Sequence, residues 1–237
     1  MISKELFFSC AKEAGLALSD ETFQKFDKYA VLLKEYNEKV NLTAITDADG
    51  ITVKHFADSL FLLKHVNIKN EAKVCDVGTG AGFPGMCLLL ARSDLRITLF
   101  DSVNKKLEFI RFLCNELDVQ AEIINIRAEN AGKQTEYREK FDIATARAVA
   151  SLNKLSEYCL PLVKPGGYFA PMKAPLSAEE KKNGKSAAAT LGAKLRDDFL
   201  YELPTGDPRE ILVFEKISQT PPKYPRNSGI ISKNPLQ

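Results

Sequence analysis

Apolar residues recur at steps of three and four along the first third of the chain, the spacing that places them on one face of a helix. Three such stripes occur, over residues 6–16, 23–36 and 52–66. Ser19 or Asp20 precedes the longest stripe and can cap the N-terminus of that helix. We therefore predict an N-terminal helical extension over residues 1–70.

From Lys73 onward the pattern changes to short apolar runs that alternate with helical stripes, as in a largely parallel sheet. Strands are predicted at about 73–77, 96–100, 121–126, 141–145 and 168–172, with a closing hairpin of 199–203 and 210–215. Helices are predicted at about 86–91, 103–117 and 152–163, and a turn at 164–167. The lysine-rich stretch 181–185 is assigned to no element. The expected fold class is α/β, a Rossmann-like, mostly parallel seven-stranded sheet with helices on both faces, over residues 71–217.

The last segment, residues 218–237, is rich in proline and contains basic residues but no acid. Tyr224 lies between Lys223 and Pro225, and Arg226 follows. An extended basic tail with one aromatic residue could follow an RNA backbone and stack on a base. The alternative is a disordered tail, or one that lies along the surface without binding RNA.

Composition narrows the class of protein. The chain has 237 residues, of which 45% are hydrophobic and 27% charged, typical of a soluble globular protein. It contains neither a membrane-length apolar run nor a signal-peptide core, so we expect a cytoplasmic protein without membrane contact. The net charge of +2 does not by itself indicate nucleic-acid binding. Five cysteines without a C-x-x-C pair, and only two histidines, predict buried thiols and no metal site.

The most informative stretch follows the first predicted strand. That strand carries Asp76 near its end, and four glycines come next, at Gly78, Gly80, Gly82 and Gly85. The last three satisfy the dinucleotide pattern G-x-G-x-x-G, but that pattern alone is a weak signal. A carboxylate suits a cationic ligand better than a pyrophosphate. S-adenosylmethionine, which carries a sulfonium and an ammonium group, is such a ligand; the alternatives are a dinucleotide such as NAD, or a turn that binds nothing.

Three further residues lie after the second and third predicted strands. Asp101 can accept hydrogen bonds from ribose hydroxyls, or it can cap the helix that follows, a role open to Ser102 as well. Ala128 and its neighbours could contact an adenine ring, while Glu129 is either part of this site or a solvated loop acid.

Two basic residues end the fourth and fifth predicted strands. Arg147 could hold a substrate base or a phosphate, or it could form a structural pair with a nearby acid. Lys173 is a second candidate on the substrate side, and these two are the predicted catalytic residues. His55 is interpreted as a packed histidine rather than a catalyst.

Over nearly its whole length the chain resembles the RsmG (GidB) family of small-subunit ribosomal RNA guanine-N7 methyltransferases. The resemblance rests on seven motifs. Three lie in the first part of the chain: residues 36–46, His55-Phe56-Ala57-Asp58-Ser59-Leu60 and the Asp76 to Gly85 loop. The other four are Asp101-Ser102-Val103-Asn104-Lys105-Lys106, Arg127-Ala128-Glu129, Thr145-Ala146-Arg147-Ala148-Val149-Ala150 and, in the tail, Tyr224-Pro225-Arg226. It implies the class I S-adenosylmethionine-dependent fold and a monomer. It also implies a partner, the 16S rRNA or the small ribosomal subunit, methylated at guanine N7 in the 530 loop (helix 18). By motif position, the cofactor site would contain Gly78, Phe83, Ala128, Glu129 and Arg147.

The expected chemistry agrees with the motifs that are missing. Guanine N7 has a free lone pair and no proton to lose, so alignment matters more than a general base. The chain has neither the Asn/Asp-Pro-Pro-Tyr motif of amino-group methyltransferases nor a Pro-Cys motif for covalent pyrimidine chemistry. Three other functions stay open: a methyltransferase for a non-RNA substrate, a NAD-binding oxidoreductase, and a non-catalytic ribosome-assembly factor.

Overall fold

The computed structural model describes all 237 residues. Its N-terminal part is helical, with α1 (Lys4–Glu13), α2 (Asp20–Asn37), and a third, continuous helix built from α3 (Ala48–Gly50), a π-helical segment (Ile51–Ala57) and α4 (Asp58–His65). The Ser19 side chain caps α2 by accepting a hydrogen bond from the Thr22 N–H. The third helix begins four residues before the predicted start, since residues 48–51 lack the apolar stripe.

A seven-stranded sheet follows in the order β3-β2-β1-β4-β5-β7-β6, and only β7 runs antiparallel to its neighbours. The strands are β1 (Lys73–Val77), β2 (Arg96–Asp101), β3 (Glu122–Asn125), β4 (Phe141–Arg147), β5 (Val163–Lys173), β6 (Ala193–Glu202) and β7 (Pro208–Lys216). The predicted α/β class and the mostly parallel seven-stranded sheet are confirmed. The strand order reverses between β1 and β4, which opens a crevice at the carboxyl ends of these strands.

Helices cover both faces of the sheet. They are α5 (Gly85–Ala91), α6 (Asn104–Leu117), α7 (Ala128–Ala131), α8 (Leu152–Cys159), which a 3₁₀ turn (Leu160–Leu162) extends, α9 (Ala178–Thr190) and α10 (Ser228–Lys233). One core of 36 buried residues joins α1 and α2 to one face of the sheet, and a second core of 20 lies on the opposite face. The five cysteines are all free and buried, as predicted. None of the helices is long and apolar enough to cross a bilayer.

Two elements differ from the sequence prediction. The turn predicted at 164–167 is a bulge inside β5: Val163 pairs with Phe141 and Tyr168 pairs with Ile143, so four residues of β5 lie opposite one residue of β4. The lysine-rich stretch 181–185 belongs to α9, for which we predicted no helix. Helix α9 buries only small residues, Gly184, Ala187 and Ala188, so its sequence lacks an apolar stripe.

The C-terminal tail is folded against the protein rather than extended. The Arg226 guanidinium pairs with Glu157, which is fully buried on α8, at 2.6 Å between Nη2 and Oε2. Tyr224 is 8% exposed, and Arg138 donates hydrogen bonds to its carbonyl and to that of Thr220. Because the Tyr224 ring packs in the core, it is not exposed to stack on an RNA base, and the structure favours the alternative of a tail that lies along the protein surface.

Candidate active site

Two acids at the ends of β1 and β2 hold the glycine loop. Asp76 is fully buried, and its Oδ2 accepts hydrogen bonds from Thr79 Oγ1 at 2.7 Å and from the Gly85 N–H at 2.8 Å. Asp101 Oδ2 accepts from the Gly80 N–H at 2.9 Å. Carboxylates that accept backbone N–H groups fix the loop in one conformation. Asp76 therefore lies beneath the loop, and its direct contact with a ligand stays a prediction.

Two loop glycines have physical reasons to be glycine. Gly78 has φ +71°, and a Cβ there would come within 2.7 Å of Val149 Cγ2. Gly82 has φ +103°, and a Cβ there would meet the Tyr29 hydroxyl at 2.6 Å. That hydroxyl donates a hydrogen bond to the Ala81 carbonyl at 2.5 Å. Helix α2 thus supports the loop from below, while Val149 covers it from above.

A cavity of about 190 Å³ opens beside the loop and brings together four predicted residues: Gly78, Asp101, Ala128 and Glu129. We name it the glycine-loop cavity. Glu129 is 5% exposed and lies in the short helix α7, so it is not a solvated loop acid. Neither Asp101 nor Ser102 is the N-cap residue of α6, which is Val103, but Asp101 Oδ1 accepts a hydrogen bond from the Val103 N–H at 2.8 Å, so Asp101 also supports the start of that helix.

A larger cavity of about 590 Å³ lies at the ends of β4 and β5, where Arg147 and Lys173 both line it. We name it the arginine cavity. The Arg147 guanidinium pairs with Asp58 at 2.9 Å between Nη1 and Oδ2 and donates to the carbonyls of Lys54 and His55. The structural pair considered for Arg147 therefore exists. It does not exclude a role in binding, because no partner within the protein accepts a hydrogen bond from Nε.

Aromatic rings connect Arg147 to the glycine loop. Arg147 lies over the Phe83 ring at 5.1 Å, and Phe83 is stacked between Tyr29 and His55, with ring centroids at 5.4 and 4.4 Å. His55 Nδ1 lies 3.2 Å from Arg147 Nη2, and Nε2 lies 2.7 Å from Thr43 Oγ1. Burial, and then the charge of Arg147, lower the pKa of His55 to about 3. His55 is thus a neutral acceptor for Arg147, packed as predicted but inside the site.

Lys173 is held rather than free. Its Nζ donates to the Ala150 carbonyl at 2.8 Å and lies 3.1 Å from Glu180 Oε1.

Ala148, between the two cavities, has φ +56°, a left-handed conformation that non-glycine residues seldom adopt. Since Ala148 lines the arginine cavity and Val149 the glycine-loop cavity, the segment after β4 forms the wall between them.

A family model described as GidB, rRNA small subunit methyltransferase G, matches residues 22–199. A ribosomal RNA small subunit methyltransferase G from Lysinibacillus sphaericus is 43% identical to this chain over 238 aligned positions, covering 100% of both proteins. The protein of the same name from Acetivibrio thermocellus is 46% identical, covering 98% of this chain and 96% of its own. The chain belongs to the GidB family.

Solved structures confirm the fold of this GidB-family protein. A methyltransferase from Pyrococcus furiosus superposes with a TM-score of 0.57 at 16% identity, covering 81% of this chain and 98% of its own. TrmN from Thermus thermophilus gives a TM-score of 0.53 at 18% identity, covering 70% of this chain and 53% of its own. At these identities the likeness establishes the Rossmann-like methyltransferase fold alone.

The family and the fold imply S-adenosylmethionine, rather than a dinucleotide, as the cofactor of this GidB-family protein. The site fits a cationic nucleoside. Asp76 Oδ1 is buried and has no hydrogen-bond partner, and desolvation raises the pKa of Asp76 to about 6. A positive group nearby would stabilise its charged form. Asp101 and Glu129 present carboxylates to the cavity, where ribose hydroxyls can donate to them.

The sequence analysis did not select three residues that the structure places at the arginine cavity or in contact with its lining: Asp58, Tyr201 and Glu180. Asp58 is buried and joins Arg147 to Tyr201, whose hydroxyl donates to Oδ1 at 2.9 Å. Glu180 lines the arginine cavity from α9. Lys54, one turn before Asp58, pairs with Asp207 and not with Asp58. The sequence signal was present only for Asp58, which falls within a family motif. No cluster of His, Cys, Asp or Glu side chains is arranged to bind a metal ion.

Proposed function

We propose that this protein methylates N7 of a guanine in the 530 loop (helix 18) of 16S ribosomal RNA, with S-adenosylmethionine as donor. The observation that carries the proposal is the family match, which spans residues 22–199 and extends to whole-length relatives named for ribosomal RNA. Family membership supports action on ribosomal RNA. The choice of guanine N7 is supported by the chemistry of the arginine cavity and by the resemblance of the motifs.

The two ionisable groups that contact Arg147 in the arginine cavity, His55 and Asp58, are not free to act as a general base. His55 accepts a hydrogen bond from Arg147 and has a strongly lowered pKa, and both carboxylate oxygens of Asp58 are engaged. An exocyclic amino group must lose a proton during methylation, whereas guanine N7 reacts through its lone pair. A site that orients the acceptor without removing a proton therefore suits N7.

S-adenosylmethionine, when bound, supplies an electrophilic methyl group. The residues proposed to hold it are Asp76, Gly78, Gly80, Gly82 and Phe83 around the loop, with Asp101, Ala128, Glu129 and Arg147 along the nucleoside. Arg147 and Lys173 are proposed to orient the guanine or an adjacent phosphate.

An RNA base paired in a hairpin cannot enter the arginine cavity, so the target must be splayed out of its stack. A loop substrate meets this requirement at low cost. We propose that the protein acts as a cytoplasmic monomer on the 16S rRNA, either free or within the small subunit.

The test is to map N7-methylguanosine in 16S rRNA from cells with and without the gene, and from the deletion strain complemented with wild-type protein. We expect one N7-methylguanosine in the 530 loop that disappears with the gene and returns on complementation. Loss of a different modification would refute the proposed acceptor atom. Unchanged methylation throughout would favour a non-RNA substrate or a non-catalytic role in ribosome assembly.

A further inference from the structure

An enzyme that methylates guanine N7 must reject adenine, which presents the same N7. The two bases differ on their other edge: guanine carries O6 and donates from N1–H and the 2-amino group, whereas adenine donates from its 6-amino group and accepts at N1. Discrimination therefore needs an acceptor opposite N1 and the 2-amino group. This inference rests on the proposed function.

Only two acids line the arginine cavity, Asp58 and Glu180. Asp58 is fully used: Oδ2 accepts from Arg147, and Oδ1 accepts from the Tyr201 hydroxyl and lies 3.6 Å from Arg209 Nε. Glu180 differs. Its Oε1 accepts from the Leu152 N–H at 2.9 Å and pairs with Lys173 Nζ at 3.1 Å, while no group of the protein bonds to Oε2.

Contacts to the backbone of Glu180 and to its other carboxylate oxygen fix the position of Oε2. Ser177 caps α9 by accepting from the Glu180 N–H at 3.1 Å, which fixes the backbone of Glu180. The Leu152 N–H, in the first turn of α8, and the Lys173 ammonium fix Oε1. The side chain remains 30% exposed. Oε2 is therefore a pre-oriented, charged acceptor at a cavity that has no other free carboxylate oxygen.

We propose that Glu180 determines base specificity by accepting hydrogen bonds from N1–H and the 2-amino group of the target guanine through Oε2. Adenine would place its N1 lone pair against this carboxylate and would be rejected. Arg147 and Lys173 line the same cavity and supply donors that suit O6.

The same placement favours the reaction electrostatically. The N7 lone pair forms the new bond to carbon while the carbon–sulfur bond breaks and its electron pair stays on sulfur. No proton leaves, so the positive charge moves from the sulfonium to the base. A fixed carboxylate beside the base stabilises the cation that develops there.

Glu180→Gln tests the proposal with little change in shape. The Gln carbonyl can still accept from Leu152 and Lys173, which directs its NH₂ group into the cavity, where it opposes the guanine donors. Glu179→Gln, an exposed neighbour in the same helical turn, is the matched control. Both variants are assayed on small-subunit RNA whose target base is guanine, inosine, which lacks the 2-amino group, or adenine. Donor affinity is measured by calorimetry.

For Glu180→Gln we expect kcat/KM on guanine RNA to fall about 10- to 100-fold. The fall should be smaller on inosine, and the preference for guanine over adenine should narrow at least about tenfold. Donor affinity and the control variant should match wild type. A preference that stays at the wild-type ratio overturns the proposal, however slow the variant.

If Glu180→Gln is too slow to assay, the same ratio is taken from the dissociation constants of guanine and adenine RNA, and an unchanged ratio again overturns the inference. The two proposals fail separately. A wild-type product other than N7-methylguanosine refutes the proposed function, whereas an unchanged base ratio with N7-methylguanosine as product refutes only the role of Glu180.

Discussion

The Arg147 side chain shows how one residue can serve both the fold and the site. Its guanidinium is bound to the buried Asp58, rests on Phe83 and contacts His55, while Nε has no partner. Arg147 is only 13% exposed at its side chain, and Asp58 only 4%. Its geometry depends on the planar fork, which a lysine ammonium cannot reproduce.

We predict that Arg147→Ala loses methyl transfer and also lowers the free energy of unfolding by about 2 to 4 kcal/mol, because Asp58 is left as a buried charge with weaker compensation. Arg147→Lys keeps the charge and should lower the free energy of unfolding by less than about 1.5 kcal/mol, yet lose at least about tenfold in kcat/KM. Urea unfolding and methylation assays measure both. Arg196→Ala, at an exposed position of β6, is the control and should leave both quantities unchanged. Full activity of Arg147→Lys would show that methyl transfer does not need the planar guanidinium group.

We predict that donor binding depends on pH through Asp76, which is proposed to hold the donor. Burial is the main cause that raises its pKa to about 6, against the opposing hydrogen bonds from Thr79 and Gly85. The protein is thus increasingly protonated at Asp76 as the pH falls through that value. A cationic donor favours the ionised carboxylate, so its affinity should decrease at acid pH.

Calorimetry should show S-adenosylmethionine binding about 3- to 4-fold more weakly at about pH 5.5 than at about pH 7.5. Asp76→Asn should bind weakly at both values and lose this dependence. Asp94→Asn, which alters a partly exposed ion pair with Arg92, serves as control and should keep it. Equal affinity of the wild type at both pH values would contradict an electrostatic role for Asp76.

At the level of elements, predictability from sequence followed the strength of the apolar pattern. Helix α2 has a clear stripe and a Ser cap, and its start was predicted at Ser19 or Asp20. Helix α9 packs only glycine and alanine against α8, where Gly184 lies so close to Leu152 that a Cβ would approach its side chain to 2.3–2.4 Å. Close packing of small residues leaves no hydrophobic periodicity, and Glu180 was missed together with its helix.

The candidate site was predictable where residues follow strands directly. Asp101 and Arg147 end β2 and β4, so the parallel sheet brings them to one edge. The partners of these residues come from distant parts of the chain: Asp58 lies in the N-terminal helices and Tyr201 in the antiparallel hairpin. Such pairings depend on tertiary packing, and no local pattern reveals them.

The strongest contact between the tail and α8 is the ion pair of Arg226 with Glu157. Glu157 is fully buried and accepts three hydrogen bonds from the Arg226 side chain and one from its backbone N–H. Arg226→Ala removes the side-chain donors and leaves the carboxylate unpaired. We predict a loss of about 2 to 4 kcal/mol in urea unfolding. Lys223→Ala, at an exposed position of the same tail, is the control and should change the free energy of unfolding by less than about 0.5 kcal/mol. If Lys223→Ala lost as much stability as Arg226→Ala, the positive charge of the tail, and not the pair of Arg226 with Glu157, would be the cause.

In the whole molecule, the N-terminal helices and the sheet share their interior. Phe26 and Tyr29 of α2 belong to the same core as Phe83 of the glycine loop and Phe109 of α6. Cys10 of α1 packs in a smaller cluster with Phe61 and with Leu203 at the end of β6. An extension that covers one face of the sheet cannot unfold without exposing that face to water, so the chain should unfold as one unit.

Two buried thiols allow this to be measured without added probes. Cys10 is 1% exposed and reports on α1. Cys159 is 0% exposed and reports on α8, which packs on the opposite face of the sheet. With thiol labelling read at each site by mass spectrometry, we expect both cysteines to become reactive at one urea midpoint. Phe26→Ala, expected to cost about 3 to 5 kcal/mol, should lower both midpoints equally, although it lies only on the N-terminal side. Labelling of Cys10 at a lower urea concentration than Cys159 would instead show that the helical extension unfolds separately from the sheet. The glycine loop would then lose its contact with Tyr29 before the sheet unfolds.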